Sequence, residues 1–181
     1  MLNLDELVNT YIPGVSSSIG KALAEAGAIC LDSRHHHQGA LLAVRGIRSY
    51  SYALNWTPAT AQGFRAWQHN QATEWGAAGI AVLLARNETP FTVIEAAIQG
   101  TGIDYWLGEE SDITFQRKAR LEISGIRPED GAIVSDGTIA GRVREKLRQT
   151  AQSDDTNTPA YVIVVEFGRP IAEVHKNERD E

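Results

Sequence analysis

The sequence predicts an α/β protein: a central mixed β-sheet with flanking helices, preceded by an N-terminal helix and a β-hairpin. Three observations predict it. Stretches with apolar residues at helical spacing alternate with short runs of period two. From Pro58 onward the order reads helix, strand, strand, strand, helix, strand, which is a meander followed by a helical crossover to a fourth strand. Residues 160–167, AYVIVVEF, are nearly all apolar, as a central strand buried on both faces requires. With 181 residues, 43% hydrophobic and 22% charged, the chain has the length and composition of one globular domain.

The elements follow in order. Residues 5–28 read as one or two helices broken near Pro13-Gly14. Ser16, Ser17 or Ser18 is a cap, Ile19, Ala22, Leu23 and Ala26 form an apolar face, and Gly27 is a stop. Residues 41–46 and 49–56 read as a hairpin turning at Gly46-Ile47-Arg48. Thr57 and Pro58 open a long helical region that ends near Asn87, interrupted by Gly63, Gly76 and Gly79. Three strands follow, at residues 91–98, 103–107 and 115–126, with a turn at residues 100–102 and an acidic loop at residues 108–112. A helix rich in Arg and Lys spans residues 138–152, and residues 153–159 form a polar linker. The domain division is therefore one domain, 1–181, with an extension at 1–57, a core at 58–168 and a flexible charged tail at 169–181.

Composition excludes several classes. No run of about 18 apolar residues exists, so no membrane span is expected. The N-terminus lacks a basic stretch followed by an apolar core, so no secretory leader is expected. Cys30 is the single cysteine, which forbids an internal disulfide and fits a cytoplasmic location; between Ile29 and Leu31 it reads as a small buried residue. His35-His36-His37 has no further Cys or His at zinc spacing and reads as a solvated loop. A net charge of −6 argues against a broad nucleic-acid footprint but leaves room for a local basic face. The sequence has no Gly-rich phosphate loop, no G-x-S-x-G and no H-E-x-x-H.

The chemistry lies in three acids. Glu74 falls in the long helical region, Asp104 in the second strand of the meander, and Glu122 in the third. Asp104 and Glu122 have apolar neighbours, where a carboxylate needs a partner. A divalent cation is one such partner, and Mg²⁺ takes one or two protein carboxylates while keeping several waters. Alternation puts Lys118, Arg120, Glu122 and Ser124 on one face of their strand. Arg142, Arg144, Lys146 and Arg148 give the next helix a basic character suited to phosphates, although such a helix alone is more often a solvated face. Trp56, Trp67, Trp75 and Trp106 read most simply as core or interface anchors, and Tyr105 and Trp106, just after the acid, would stack on a base if the substrate is single-stranded.

These features resemble the PD-(D/E)XK nuclease superfamily, whose common core has this helix, meander, helix, strand order. Asp104 matches the Asp, Glu122-Ile123-Ser124 the (D/E)XK motif, and Glu74 the glutamate of the first core helix. The resemblance covers roughly residues 58–168 and implies a restriction-endonuclease-like αβββαβ core. It also implies a Mg²⁺ or Mn²⁺ site at Asp104, Glu122 and the Ile123 carbonyl, and cleavage of DNA, as in restriction, repair or phage defence. Ile103 precedes the acid where the family often has Pro. Ser124 stands where the family has its Lys, and serine carries no positive charge. Lys118, Arg120, Arg142 and Lys146 are the candidates to replace it, with Arg120 or a helical side chain favoured over the more distant Lys118. The remaining expectation is a non-catalytic module that kept the fold, lost the lysine and acts through a protein partner, as an accessory or immunity-like subunit, or as a homo-oligomer.

Overall fold

A computed structural model describes residues 1–112, 114 and 116–177. Its elements are β1 (Leu2–Asn3), α1 (Glu6–Asn9), α2 (Ser17–Asp32), β2 (Leu41–Gly46), β3 (Tyr50–Asn55), α3 (Ala61–Ala66), α4 (His69–Glu88), β4 (Thr92–Ala96), β5 (Tyr105–Gly108), β6 (Ala119–Ile126), α5 (Asp136–Gln149), a 3-10 turn (Thr150–Thr156), β7 (Ala160–Glu166) and β8 (Ile171–Asn177). The strands form one mixed sheet in the order β1-β3-β2-β8-β7-β6-β5-β4. The expected meander is present: β4, β5 and β6 are antiparallel neighbours, and α5 carries the chain over to β7, parallel to β6.

The helices cover the two faces unequally. Leu121, Ile123, Tyr161, Ile163 and Val165 join α2 and α4 in the main core, while Val162, Val164 and Ile171 meet Ile139 and Val143 of α5 on the other face. Alternation along β6 therefore sends Arg120, Glu122 and Ser124 toward α5. All three are buried. Against the sheet, α4 is itself covered by α2. The two helices approach at a pair of glycines: a Cβ on Gly76 would lie 3.0 Å from the Gly27 Cα, and one on Gly27 2.7 Å from Leu4 Cδ1.

Several boundaries differ from expectation. Gly27 is no stop, since α2 runs on to Asp32 and uses Gly27 for packing. The long helical region splits into α3, capped by Thr60 rather than Thr57, and α4; Trp67 between them is extended. The third meander strand starts at Ala119; of its expected first residues, Phe115 lies outside those described. The largest correction concerns the tail. Residues 171–177 are not frayed but form β8, inside the sheet, antiparallel to β7 and parallel to β2. Glu173, His175 and Lys176 gave this stretch its tail-like charge, yet Ile171, Ala172 and Val174 are buried. Among the described residues no helix is long and apolar enough to cross a membrane.

Candidate functional site

The site begins where β5 and β6 part. Tyr105 pairs with Leu121, and the next residue outward, Asp104, donates its N–H to the Leu121 carbonyl at 2.8 Å while its own carbonyl accepts from Ala97 N at 2.8 Å. Asp104 is thus clamped on both sides, although the strand proper begins one residue later. Before it the chain turns sharply through Gly102, whose φ of +75° and contact with the Gln149 carbonyl leave no place for a side chain. With the backbone turned away, the Asp104 carboxylate takes over as acceptor for the next amide of β6: Ile123 N–H donates to Oδ2 at 2.8 Å. A strand residue points its N–H and C=O to the same edge. The Ile123 carbonyl therefore faces the same fork.

Antiparallel register brings Glu122 level with Asp104. The two carboxyls share a hydrogen bond, and both are pushed up from the usual carboxylate range, first by burial. Glu122 reaches about 7, with the Asp104 charge as the second cause. The cation that opposes this rise is Lys146, whose Nζ donates to Glu122 Oε1 at 2.6 Å and to Gln149 Oε1 at 3.0 Å. One turn earlier on α5, Arg142 donates to Ser124 Oγ at 3.0 Å. Ser135 caps α5 by accepting from Thr138 N at 3.1 Å, which starts the helix in the register that aims residues 142 and 146 at β6.

A cleft of 610 Å³ opens over this fork. Arg142 and Lys146 come to it from α5 on one face of the sheet and Glu74 and Trp75 from α4 on the other, with Asp104, Tyr105, Ile123 and Ser124 of the strands between them. Glu74 is exposed on α4 and adds negative charge beside Asp104. Its helix comes close because Gly125 has no Cβ; one there would lie 2.5 Å from the Thr73 carbonyl. Asp104, Glu122, Glu74, Ser124 and Ile123 are thus brought together, as the sequence suggested.

Other expected site residues lie elsewhere. Arg120 is 1% exposed and does not line the cleft. Its guanidinium donates to the carbonyls of Thr150 (3.0 Å) and Thr158 (2.7 Å) and to Ser153 Oγ (3.0 Å), which ties β6 to the end of α5. Lys118 is held by Glu109 at 2.8 Å and Asp112 at 2.9 Å, away from the cleft. Arg144 and Arg148 are exposed on α5 and do not line the cleft. Trp106 packs with Ile94 and Ile103 under the guanidinium of Arg117, 4.8 Å from its ring, so only Tyr105 of that pair meets the cleft. His69 contacts the Arg127 carbonyl at 3.2 Å, and His36 donates to the Phe167 carbonyl at 2.8 Å. Glu166 is buried and accepts from the backbone N–H groups of Gly168 and Arg169 in the turn to β8. Trp75 is a cleft residue that sequence reasoning assigned to the core; its place one residue after Glu74 was the available signal.

Among the described residues no group of three or more His, Cys, Asp or Glu is arranged to hold a metal ion. The donor set is two carboxyls and a main-chain carbonyl. That set suits Mg²⁺, which binds through one or two carboxylates and retains water. Burial raises both carboxyls, and the Asp104 charge on Glu122 and the Glu74 charge on Asp104 add to the rise, so negative charge is crowded at this point and a cation would relieve it. Comparison with known protein families, curated proteins and solved structures finds no match to this chain.

Proposed function

We propose that this chain is a metal-dependent phosphodiester hydrolase of the PD-(D/E)XK type, acting on DNA, in which Lys146 supplies the positive charge absent at Ser124. The observation that carries the reading is the 2.6 Å contact between Lys146 Nζ and Glu122, on the strand that bears the degenerate motif. Asp104, Glu122 and the Ile123 carbonyl would hold Mg²⁺ or Mn²⁺. A bound ion there would lower the pKa of a coordinated water and neutralise charge on the scissile phosphate.

The chain's own groups have separate tasks. Lys146 keeps one oxygen of Glu122 in place and stands ready for the charge that grows on the phosphate in the transition state. Arg142, next to Ser124, offers a fork of N–H donors to a phosphate oxygen. Glu74, across the cleft, is set to accept a hydrogen bond from a water near Asp104. The element order and the convergence of Asp104 with Glu122 support the same assignment.

The test is cleavage of a plasmid and an oligonucleotide panel with Mg²⁺ or Mn²⁺, using wild type, Asp104→Ala and Glu122→Ala. Metal-dependent cutting by wild type of at least one member of the panel, single-stranded oligonucleotides included, lost in both variants, is the expected result. Absence of both cutting and metal affinity in wild type overturns the hydrolase and favours the non-catalytic binding module.

A further inference from the structure

We infer that the cleft accepts a single nucleic-acid strand, with a base laid against Tyr105 and Trp75, and does not accept a duplex. This rests on the proposed function, because it names the substrate form for that same site.

The two walls differ in chemistry. Arg142 and Lys146 of α5 make one. The other is largely apolar and aromatic, made by Ile19 and Leu23 of α2, Trp75 and Ala78 of α4, and Tyr105 of β5, with the Glu74 carboxylate as its one charged group among the described residues. A duplex turns phosphates and sugars outward on all sides and keeps its base faces stacked inside. Against such a surface the apolar wall has nothing to bury, and two cations are a small footprint for a chain of net charge −6. A single strand presents phosphates on one side and π-faces on the other, which matches the two walls. Sequence-tolerant single-strand sites combine these same two elements, a cationic track and aromatic platforms.

Size and rigidity agree with this. At 610 Å³ the cleft falls within the roughly 300–1,000 Å³ of sites that enclose small ligands, the scale of a nucleotide or two. The apolar wall is also fixed. Gly14, just before α2, donates its N–H to Val93 O of β4 at 2.9 Å, so the segment leading into Ile19 is pinned to the sheet edge. Trp75 is braced edge-on by Trp67, ring centres 5.7 Å apart. Among the described residues the Tyr105 hydroxyl makes no hydrogen bond, which leaves it available to a sugar or base edge.

The experiment separates strandedness from catalysis. The full-length double variant D104N/E122Q keeps the shape of both acids, removes their charge and holds no metal. Its binding to a fluorescent 12-nucleotide single-stranded DNA, the same sequence as RNA, and the DNA duplex is measured by anisotropy in EDTA. The expected result is at least tenfold tighter binding of a single strand than of duplex, with the DNA and RNA arms showing which sugar is preferred. Adding Tyr105→Leu, with folding checked by circular dichroism, is expected to weaken single-strand binding by about tenfold and leave duplex binding unchanged. Trp75→Phe, which retains a ring in the core, is the second probe and is expected to give a smaller loss in the same direction. Equal or tighter duplex binding, no binding of either single strand, or an unchanged affinity in a folded Tyr105→Leu protein overturns the inference. Wild-type cleavage with Mg²⁺ is scored separately. If nothing is cut while single strands still bind, the hydrolase assignment falls and strand selection stands. If duplex and single strand are cut at equal rates, strand selection falls and the hydrolase stands.

Discussion

Lys146 Nζ lies 2.6 Å from Glu122 Oε1, and the two side chains come from different layers, one from α5 and the other from β6 beneath it. An ammonium delivered from a helix reaches the carboxylate without occupying the strand position at Ser124, which is left to bond Arg142. For a hydrolase this makes Lys146 the residue with the largest expected effect outside the two acids. Lys146→Met keeps most of the stem and removes the charge. Cleavage with Mg²⁺ is expected to fall by about a hundredfold or more, the scale of losing one preorganised transition-state donor. Stability is expected to change little, because Glu122 without its cation simply keeps its proton. Placing a lysine at Ser124 in the Lys146→Met background, together with Arg142→Ala to clear space, is expected to recover part of the rate.

Metal affinity is expected to distinguish the three acids. Asp104 and Glu122 share a hydrogen bond, whereas Glu74 acts on Asp104 only through its charge. Titration of Mn²⁺ by calorimetry is expected to show a loss of more than tenfold in Asp104→Asn and in Glu122→Gln. Glu74→Gln is expected to lose less than about threefold, as suits a group that orders water rather than holding the ion. Equal losses in all three would place Glu74 among the ligands.

The order of elements from α4 to β7 was legible because each carries its own periodicity, and Asp104 and Glu122 could be paired because a meander makes neighbours of consecutive strands. What failed depended on distant partners. Nothing local distinguishes Ile171–Asn177 from a charged tail; its place is set by β2 and β7, which pair with it from elsewhere in the chain. Gly27 looks like a helix end in isolation and becomes a packing site only when Gly76 lies against it. Arg120 was assigned to the chemistry because alternation puts it on the face of Glu122, which is true. The carbonyls that engage it, from residues 150 and 158, were invisible in the strand itself. Lys146 was one of several possible cations: distance along the strand set Lys118 behind the rest, and nothing in the sequence separated Lys146 from Arg120 or Arg142.

The Glu122 carboxyl sets a pH dependence with a definite sign. Its folded-state value of about 7 lies above the ordinary 4.5. Such a group stabilises the fold fully below the unfolded value, and this contribution is lost as pH rises through about 7. Stability of wild type is therefore expected to fall between about pH 5 and 8, by roughly 1–3 kcal/mol from this site. Glu122→Gln, which cannot ionise, is expected to flatten that part of the profile in urea melts. Metal binding at such a site needs the deprotonated acids, so Mn²⁺ affinity is expected to run the opposite way and to rise over the same interval. A stability profile that rises toward pH 8 in wild type and not in the glutamine variant contradicts the assignment.

Arg120 is expected to matter to the fold and, through it, to the site. Its buried guanidinium satisfies the carbonyls of Thr150 and Thr158 and the hydroxyl of Ser153, where α5 gives way to the 3-10 turn. Removing it leaves those acceptors without their donor in a buried place, at a cost of about 3 kcal/mol. Arg120→Leu is therefore expected to lower the urea midpoint strongly. Arg120→Lys is expected to recover less than half of the loss, because a single ammonium cannot span acceptors that a planar fork reaches together. The same contacts hold the end of α5 against β6, one turn beyond Lys146. A folded Arg120→Lys protein is expected to lose cleavage more through kcat than through KM, since Lys146 is displaced while Arg142 remains nearer the start of its helix. If activity per folded molecule stays at the wild-type level while stability falls, Arg120 serves the fold alone and does not position Lys146.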